Sequence, residues 1–216
     1  MRKIIMATVL VIVAQSSIAQ KLSWGVKVGG TISVFNSYTD SIRPIGTFHG
    51  GGFAEYKING KFKVQHEILY AEEGVKLYND YYEGNRFVST TERLKLKYIN
   101  LPVILKYYVI KNLSIDAGPQ IGIFLDANSS YTSRSVLNGN VNTTKGTNLS
   151  NGDFRRFNGG LIGGVSYNLT EHFIIQGRIY QGLTSFTKGG YYHDDSDGAR
   201  KHMYTTNVQL SVGYEF

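Results

Sequence analysis

The sequence predicts an all-β fold: an eight-stranded antiparallel transmembrane β-barrel with short periplasmic turns and long extracellular loops. Three observations predict it. Apolar residues recur with period two along most of the chain, so each strand has one apolar face. The other face is rich in glycine with scattered charges, which suits a crowded polar interior with lipid outside. The connections are alternately short and long, as in barrels of bacterial outer membranes.

The pattern is densest from Ile99 to Leu125. Ile99, Leu101, Val103, Leu105, Tyr107 and Val109 alternate with Asn100, Pro102, Ile104, Lys106 and Tyr108. After a short turn, Leu113, Ile115, Ala117, Pro119, Ile121, Ile123 and Leu125 alternate with Ser114, Asp116, Gly118, Gln120, Gly122, Phe124 and Asp126.

Residues 1–19 read as an export signal and residues 20–216 as the barrel domain. Arg2 and Lys3 precede the apolar run Ile4 to Val13, and Ser17 and Ala19 stand at the small-residue positions before a cut at Ala19/Gln20. That run is too short for a membrane helix, which needs about 20 residues. The chain has no cysteine, which excludes disulfides, thiolate metal sites and a lipid-anchored cysteine after the cut. The 25 glycines, 16 tyrosines and 3 prolines fit many strands and few rigid loops. The formal net charge of +7, which falls to +5 without Arg2 and Lys3, is dispersed. A nucleic-acid partner would need a clustered basic patch, and none is visible.

In chain order, the first segment is Leu22 to Ser33, with Trp24, Val26, Val28, Gly30 and Ile32 outward and Lys27 and Thr31 inward. Val34 to Gly46 is a loop. The second segment is Thr47 to Ile58, and Asn59-Gly60-Lys61 turns it into the third, Phe62 to about Leu77. Tyr78 to Arg93 reads as a polar, tyrosine-rich loop. The fourth segment is Leu94 to Val109. Its early apolar residues, Leu94, Leu96 and Tyr98, are out of phase with the later ones, which predicts a bulge near Tyr98 and Ile99.

The fifth segment is Leu113 to about Tyr131. The longest loop follows, Thr132 to Phe154, and is rich in Asn, Gly, Thr and Ser. The sixth segment, Arg155 to Leu169, turns through Thr170-Glu171-His172 into the seventh, Phe173 to about Phe186. After the loop Thr187 to Ala199, the eighth is Lys201 to Phe216. Its row Val208, Leu210, Val212, Tyr214 and Phe216 alternates with Asn207, Gln209, Ser211, Gly213 and Glu215.

Three-residue turns that pair Ile58 with Phe62, Val109 with Leu113 and Leu169 with Phe173 keep each apolar face continuous across its hairpin. An even strand number puts both termini on the short-turn side, where the first and last strands close the sheet. Pro102 and Pro119 fall inside strands and, in this register, become neighbours on one hairpin. They imply either a shared distortion or nitrogens at non-bonded positions.

The inward set predicts a lumen charge network: Lys27, Glu55, Lys57, Lys63, Glu67, Lys106, Asp116, Asp126, Arg178 and Glu215. An eight-stranded barrel is just filled by side chains. Mixed charges there form paired structural plugs more readily than ion paths, because unpaired buried charge is costly. Chemistry is thin. His49, His66, His172, His193 and His202 are scattered, and His66 falls on the lipid-side register. His193-Asp194-Asp195-Ser196-Asp197-Gly198 is a dense acidic run without the twelve-residue calcium-loop spacing, and reads as a solvated turn. The sequence therefore calls for no catalytic residue, metal or cofactor. Tyr81, Tyr82, Tyr191 and Tyr192 in the long loops are the binding candidates, and outer aromatic packing is the competing role. Tyr214 and Phe216, at the end of the last strand, read as the assembly signal.

Tyr98-Ile99-Asn100-Leu101-Pro102-Val103-Ile104-Leu105-Lys106-Tyr107, then Ala117-Gly118-Pro119, Tyr180-Gln181-Gly182-Leu183-Thr184 and Ser211-Val212-Gly213-Tyr214-Glu215-Phe216, carry a resemblance. The chain resembles the PorT-like outer-membrane beta-barrel family of Bacteroidota over nearly its whole mature length. Asn100 stands where the family often has an acid. The resemblance implies the bacterial outer membrane as location, and membrane lipid and the barrel-insertion machinery as partners. It implies no single activity, although the best-known member serves the type IX secretion apparatus. The expected function is non-enzymatic, through the extracellular loops or as an accessory of a secretion or envelope complex. A narrow solute channel and a surface hydrolase are the alternatives.

Overall fold

In a computed structural model, residues 22–36, 42–137, 140–148, 154–188 and 203–216 are described. The leader at 1–19, Tyr191, Tyr192, His202 and the acidic run at 193–198 lie outside them.

Among the described residues, ten strands form one antiparallel sheet: β1 (Leu22–Asn36), β2 (Ile42–Pro44), β3 (Gly46–Lys57), β4 (Phe62–Glu83), β5 (Arg86–Ile110), β6 (Leu113–Leu137), β7 (Asn140–Asn148), β8 (Phe157–Asn168), β9 (Phe173–Gly182) and β10 (Tyr204–Glu215). Eight of them close a ring in the order β1-β3-β4-β5-β6-β8-β9-β10, and β10 returns to pair with β1. These eight are the segments that the alternation marks. The closing pairs run from Gly25↔Glu215 to Asn36↔Tyr204, so the ring leaves no free edge within the membrane.

The outward face is apolar and the inward face polar. Val28 and Leu210 are 63% and 64% exposed, whereas Lys27 and Glu55 are 5% and 1% exposed. That is the inverse of a water-soluble protein and the expected order for a barrel whose outside meets hydrocarbon. Trp24, Tyr56, Tyr107, Tyr167, Phe173 and Tyr214 ring the short-turn end of this band, and Phe48, Tyr70 and Phe157 stand near its other end.

The long connections contain more strand than the sequence suggests. Residues 78–93, expected as a loop, form a hairpin in which β4 and β5 pair as far as Glu83↔Arg86. Gly84, at φ +62°, takes the left-handed position its turn requires. Part of the first loop forms β2 and pairs with β4. Much of the loop expected at 132–154 is strand, because β6 continues to Leu137 and β7 folds back along it. The polar, β-branched and aromatic residues there fit an exposed sheet as well as a loop. At about 3.3 Å per residue, the 13 residues from Tyr70 to Glu83 carry β4 roughly 40 Å past the apolar band.

The bulge lies at the expected level but on the partner strand. β5 keeps one phase throughout, and its pairing with β4 holds one register from Phe62↔Tyr107 to Glu83↔Arg86. Leu94, Leu96 and Tyr98 point inward like Lys106; what changes is the chemistry of the lumen, not the face. The extra residue is Leu125, between Tyr98↔Phe124 and Lys97↔Asp126. Leu125 and Asp126 both face out, and beyond them the odd residues of β6, beginning with Ala127, face in.

Two of the three turns keep the expected register, with Leu169 N–H donating to the Phe173 carbonyl at 2.8 Å and Ile58 N–H to that of Phe62 at 2.9 Å. The third is tighter: Ile110 pairs with Leu113, and an irregularity at Val109 restores the Tyr107↔Ile115 register. The prolines interrupt the ladders without shifting the register, as residues lacking an N–H would. The β4–β5 ladder skips from His66↔Val103 to Leu69↔Asn100, beside Pro102, and the β5–β6 ladder skips from Pro102↔Gln120 to Leu105↔Ala117, beside Pro119. Gly118 sits in the second gap, where a Cβ would lie 1.9 Å from the Val103 carbonyl oxygen.

Candidate functional site

The lumen is filled in layers. Nearest the short turns, Glu55 on β3 bridges Lys63 on β4 and Lys106 on β5. Lys106 Nζ lies 2.8 Å from its carboxylate and also donates to Gln65 Oε1 at 3.1 Å. The Tyr108 ring lies 5.1 Å from Lys63 Nζ. In the next layer, Lys27 and Arg178 each approach Glu67 at 2.7 Å, and Arg178 reaches Asp116 at 3.3 Å. Ser114 and Ser166 donate to the two Asp116 oxygens, and Lys27 donates to Gln176 Oε1 at 3.2 Å. These charges come from strands β1, β3, β4, β5, β6 and β9, so the network ties opposite walls of the ring together. Each ion of these two layers has a partner of opposite sign, which is the condition for keeping charge at such depth.

Three residues of the expected network are placed differently. Lys57 has the inward register but is exposed at the mouth of the barrel. Glu215 is half-buried at the same mouth. Asp126 is not in the lumen: the Leu125 bulge turns it to the outer face, where it pairs with Lys97 at 3.1 Å. Lys27, Glu55, Lys63, Glu67, Lys106, Asp116 and Arg178 are brought together.

Above the charges lies a layer that the sequence reading missed. Glu73 is 1% exposed and accepts a hydrogen bond from Asn207 Nδ2 at 2.7 Å. Carrying the inward parity of β4 two turns of the pleat beyond Leu69 would have found it. Ile104, Ile162 and Tyr180 pack beneath it, and an apolar layer follows. Phe35, Val75, Leu94, Leu96, Phe154, Phe186 and Met203 fill that layer, with Phe35 and Phe186 ring centroids 4.7 Å apart. Going outward, the lumen is closed first by ion pairs and then by hydrocarbon.

The second feature is the sheet of β4, β5, β6 and β7 that rises past the apolar band. It displays Tyr81, 47% exposed, and Tyr82, 77% exposed, near its tip. The Tyr82 ring lies 5.1 Å from Phe87 across the hairpin. His66 is exposed on the outer face, and His49, buried in the lumen, shares a 2.8 Å hydrogen bond with Thr31. Among the described residues, no three His, Cys, Asp or Glu side chains are grouped to hold a metal ion. At the terminus, Phe216 stacks on Trp24 with centroids 4.2 Å apart, and its N–H donates to the Trp24 carbonyl at 2.9 Å.

The outer membrane protein beta-barrel domain family matches residues 13–188. No curated protein matches the sequence significantly. Among solved structures, Ail, the attachment invasion locus protein of Yersinia pestis, is 10% identical, covers 91% of this chain and 99% of its own, and has a TM-score of 0.43. Neisserial surface protein A is 13% identical, with 89% and 97% covered and a TM-score of 0.45. CarO of Acinetobacter baumannii is 10% identical, with 87% and 97% covered and a TM-score of 0.41.

Proposed function

The chain belongs to the outer membrane protein beta-barrel domain family and is an integral protein of the bacterial outer membrane, and from that premise we propose that it is a non-enzymatic, non-conducting anchor that presents its outer sheet to a partner. The observation that carries this reading is the contrast between the two ends of the same strands. Inside the membrane band, β4, β5 and β6 line a filled lumen. Beyond it, the same strands and β7 form a sheet bearing Tyr81 and Tyr82. Tyrosine offers large contact area with a polar tip, which suits a protein or glycan surface. Tyr191 and Tyr192 belong to the same proposal as further contacts. The finer resemblance to PorT-like barrels of Bacteroidota makes an envelope or secretion complex the class of partner.

The test is cross-linking in intact cells, with a photoreactive residue at position 82, followed by identification of the captured species. Tyr81→Ser with Tyr82→Ser should leave membrane insertion intact and weaken capture several-fold. Loss of insertion would assign the rings to scaffold packing. Unchanged capture would move the function to the periplasmic mouth.

A further inference from the structure

Outward positions of β5 change character at one level. Below it stand Val103, Leu101 and Ile99; above it stand Lys97, Lys95 and Arg93. On β4 the outward row passes Ile68 and Tyr70 and continues through Glu72 and Gly74 to Lys76. The pairing places these residues side by side. Arg43 of β2 is opposite Lys76, and Lys76 is opposite Arg93, so three cations occupy one rung across three adjacent strands. Directly opposed side chains have Cβ atoms about 5 Å apart, and like charges at that spacing repel.

The nearby carboxylates are already engaged. Glu72 pairs with Lys95 at 3.2 Å, and Asp126 pairs with Lys97 at 3.1 Å. Among the described residues, neither Arg43, Lys76 nor Arg93 has a carboxylate within 4.0 Å. The next acid up the outward face of β4 is Asp80, about 13 Å further along the strand. Among the described residues, three neighbouring positive charges therefore share one face with no carboxylate paired to them. The rung lies about 20 Å along the strand beyond Tyr70, on the long-loop side, which in bacterial barrels is the extracellular side. With the strands tilted by about 40°, that is roughly 15 Å above the end of the apolar band, past the roughly 5–8 Å of a phospholipid headgroup layer and within reach of the sugars of a larger outer-leaflet glycolipid.

We propose that Arg43, Lys76 and Arg93 form a binding site for the phosphate groups of an anionic glycolipid in the outer leaflet. Guanidinium forks match phosphate oxygens in pairs, and the central ammonium adds a point charge between them. A phosphate bridging the rung turns a repulsive row into an attractive one. The lipid tails then lie against the apolar face below, through Tyr70, Ile99 and Leu101. This site uses none of the residues offered above for partner contact, so either proposal can fail without the other.

The experiment titrates the detergent-refolded full chain with fluorescent lipopolysaccharide, with the same glycolipid after removal of its phosphates, and with inorganic pyrophosphate. Wild type should bind the phosphorylated glycolipid. Arg43→Gln, Lys76→Gln and Arg93→Gln combined should weaken binding about a hundredfold, taking roughly fivefold per cation at an anionic membrane surface. The dephosphorylated glycolipid should bind wild type as weakly as the phosphorylated form binds the triple variant. Without glycolipid, the triple variant should melt no lower than wild type, since it removes repulsion. Should it fold poorly, Lys76→Gln alone and the charge-keeping pair Arg43→Lys with Arg93→Lys make the same comparison. Equal binding by wild type and neutralised variants, or indifference to dephosphorylation, overturns the site. Pyrophosphate binding as tightly as the glycolipid overturns the assignment to lipid.

Discussion

Lys106 Nζ and Glu55 meet at 2.8 Å inside the barrel, from strands on either side of β4, with side chains 0% and 1% exposed. Lys63 approaches the other oxygen of the same carboxylate, so one acid holds two bases across three strands. Lys106→Met strands part of that carboxylate. Removing one partner of a buried pair costs about 3–5 kcal/mol, and the remaining Lys63 contact puts the expected loss at the lower end. Urea unfolding in lipid vesicles measures it. The double variant Lys106→Met with Glu55→Gln should recover part of the loss, and a double variant as unstable as the sum of the singles would show that the two groups do not interact.

The bulge makes a less obvious prediction. Because Leu125 and Asp126 both face out, deleting Leu125 leaves Phe124 in, Asp126 out and Ala127 in. Each face of β6 is preserved, so the barrel should assemble and keep its gel shift between unheated and boiled samples. Deleting Asn128 instead reverses every side chain from Ser129 to the end of the strand. Cysteine placed at position 126 should react with a membrane-impermeant maleimide in the Leu125 deletion, and cysteine at 127 should not. Reversed labelling would show that the extra residue lies elsewhere.

Phe216 extends the closing β1–β10 seam by one residue. Its N–H bonds the Trp24 carbonyl and its ring stacks on Trp24. Deleting Phe216 should reduce the folded, membrane-inserted fraction in cells. Trp24→Ala removes the stacking but leaves the terminal residue for the insertion machinery to read. If Trp24→Ala matches the deletion, closure is the dominant role; a milder effect assigns the remainder to recognition during assembly.

Purified protein in planar bilayers should show no conductance steps. Two different seals stand in series, the ion pairs of Glu55, Glu67 and Asp116 and the apolar layer around Phe154 and Phe186. Phe154→Ala with Phe186→Ala opens only the second, so it should lose stability, by about 3–5 kcal/mol for each fully felt aromatic truncation, without conducting. Steady unitary currents from wild type would restore the channel reading.

The eight ring strands were legible because each pairs a lipid face with a lumen face, and period two records that directly. The lumen pairs followed from the same parity, as Lys27, Glu67 and Arg178 attest. The outer sheet was not legible, because beyond the membrane the strands carry residues such as those of Asn79-Asp80-Tyr81-Tyr82, whose polarity is shared by loops and by exposed strands. The bulge was assigned to the wrong strand for a related reason. Leu94 and Leu96 broke the apolar-out pattern, and a slip in phase is one way to break it. The other is a lumen that becomes apolar, which only the partner positions of Val75, Ala127 and Phe154 reveal. Asp126 was misplaced for the same reason. The cation rung was hidden because Arg43, Lys76 and Arg93 are far apart in sequence and meet only through the register.

The exchange of chemistry along β5 also sets how deeply the protein sits. From Leu105 up to Ile99 its outer side is oily; from Lys97 up it is charged, while the inner side changes in the opposite sense. The molecule is thus a lipid-solvated object for half its height and a water-solvated one for the rest, joined without a break in the chain. Sinking by one pleat repeat, about 7 Å along the strand, would drag Lys97 and Asp126 into hydrocarbon, and rising by the same amount would lift Ile99 and Ile123 into water. Vertical position is therefore written into the strands themselves, like a waterline on a hull, and it holds the basic rung and the tyrosine tip at fixed heights above the cell surface.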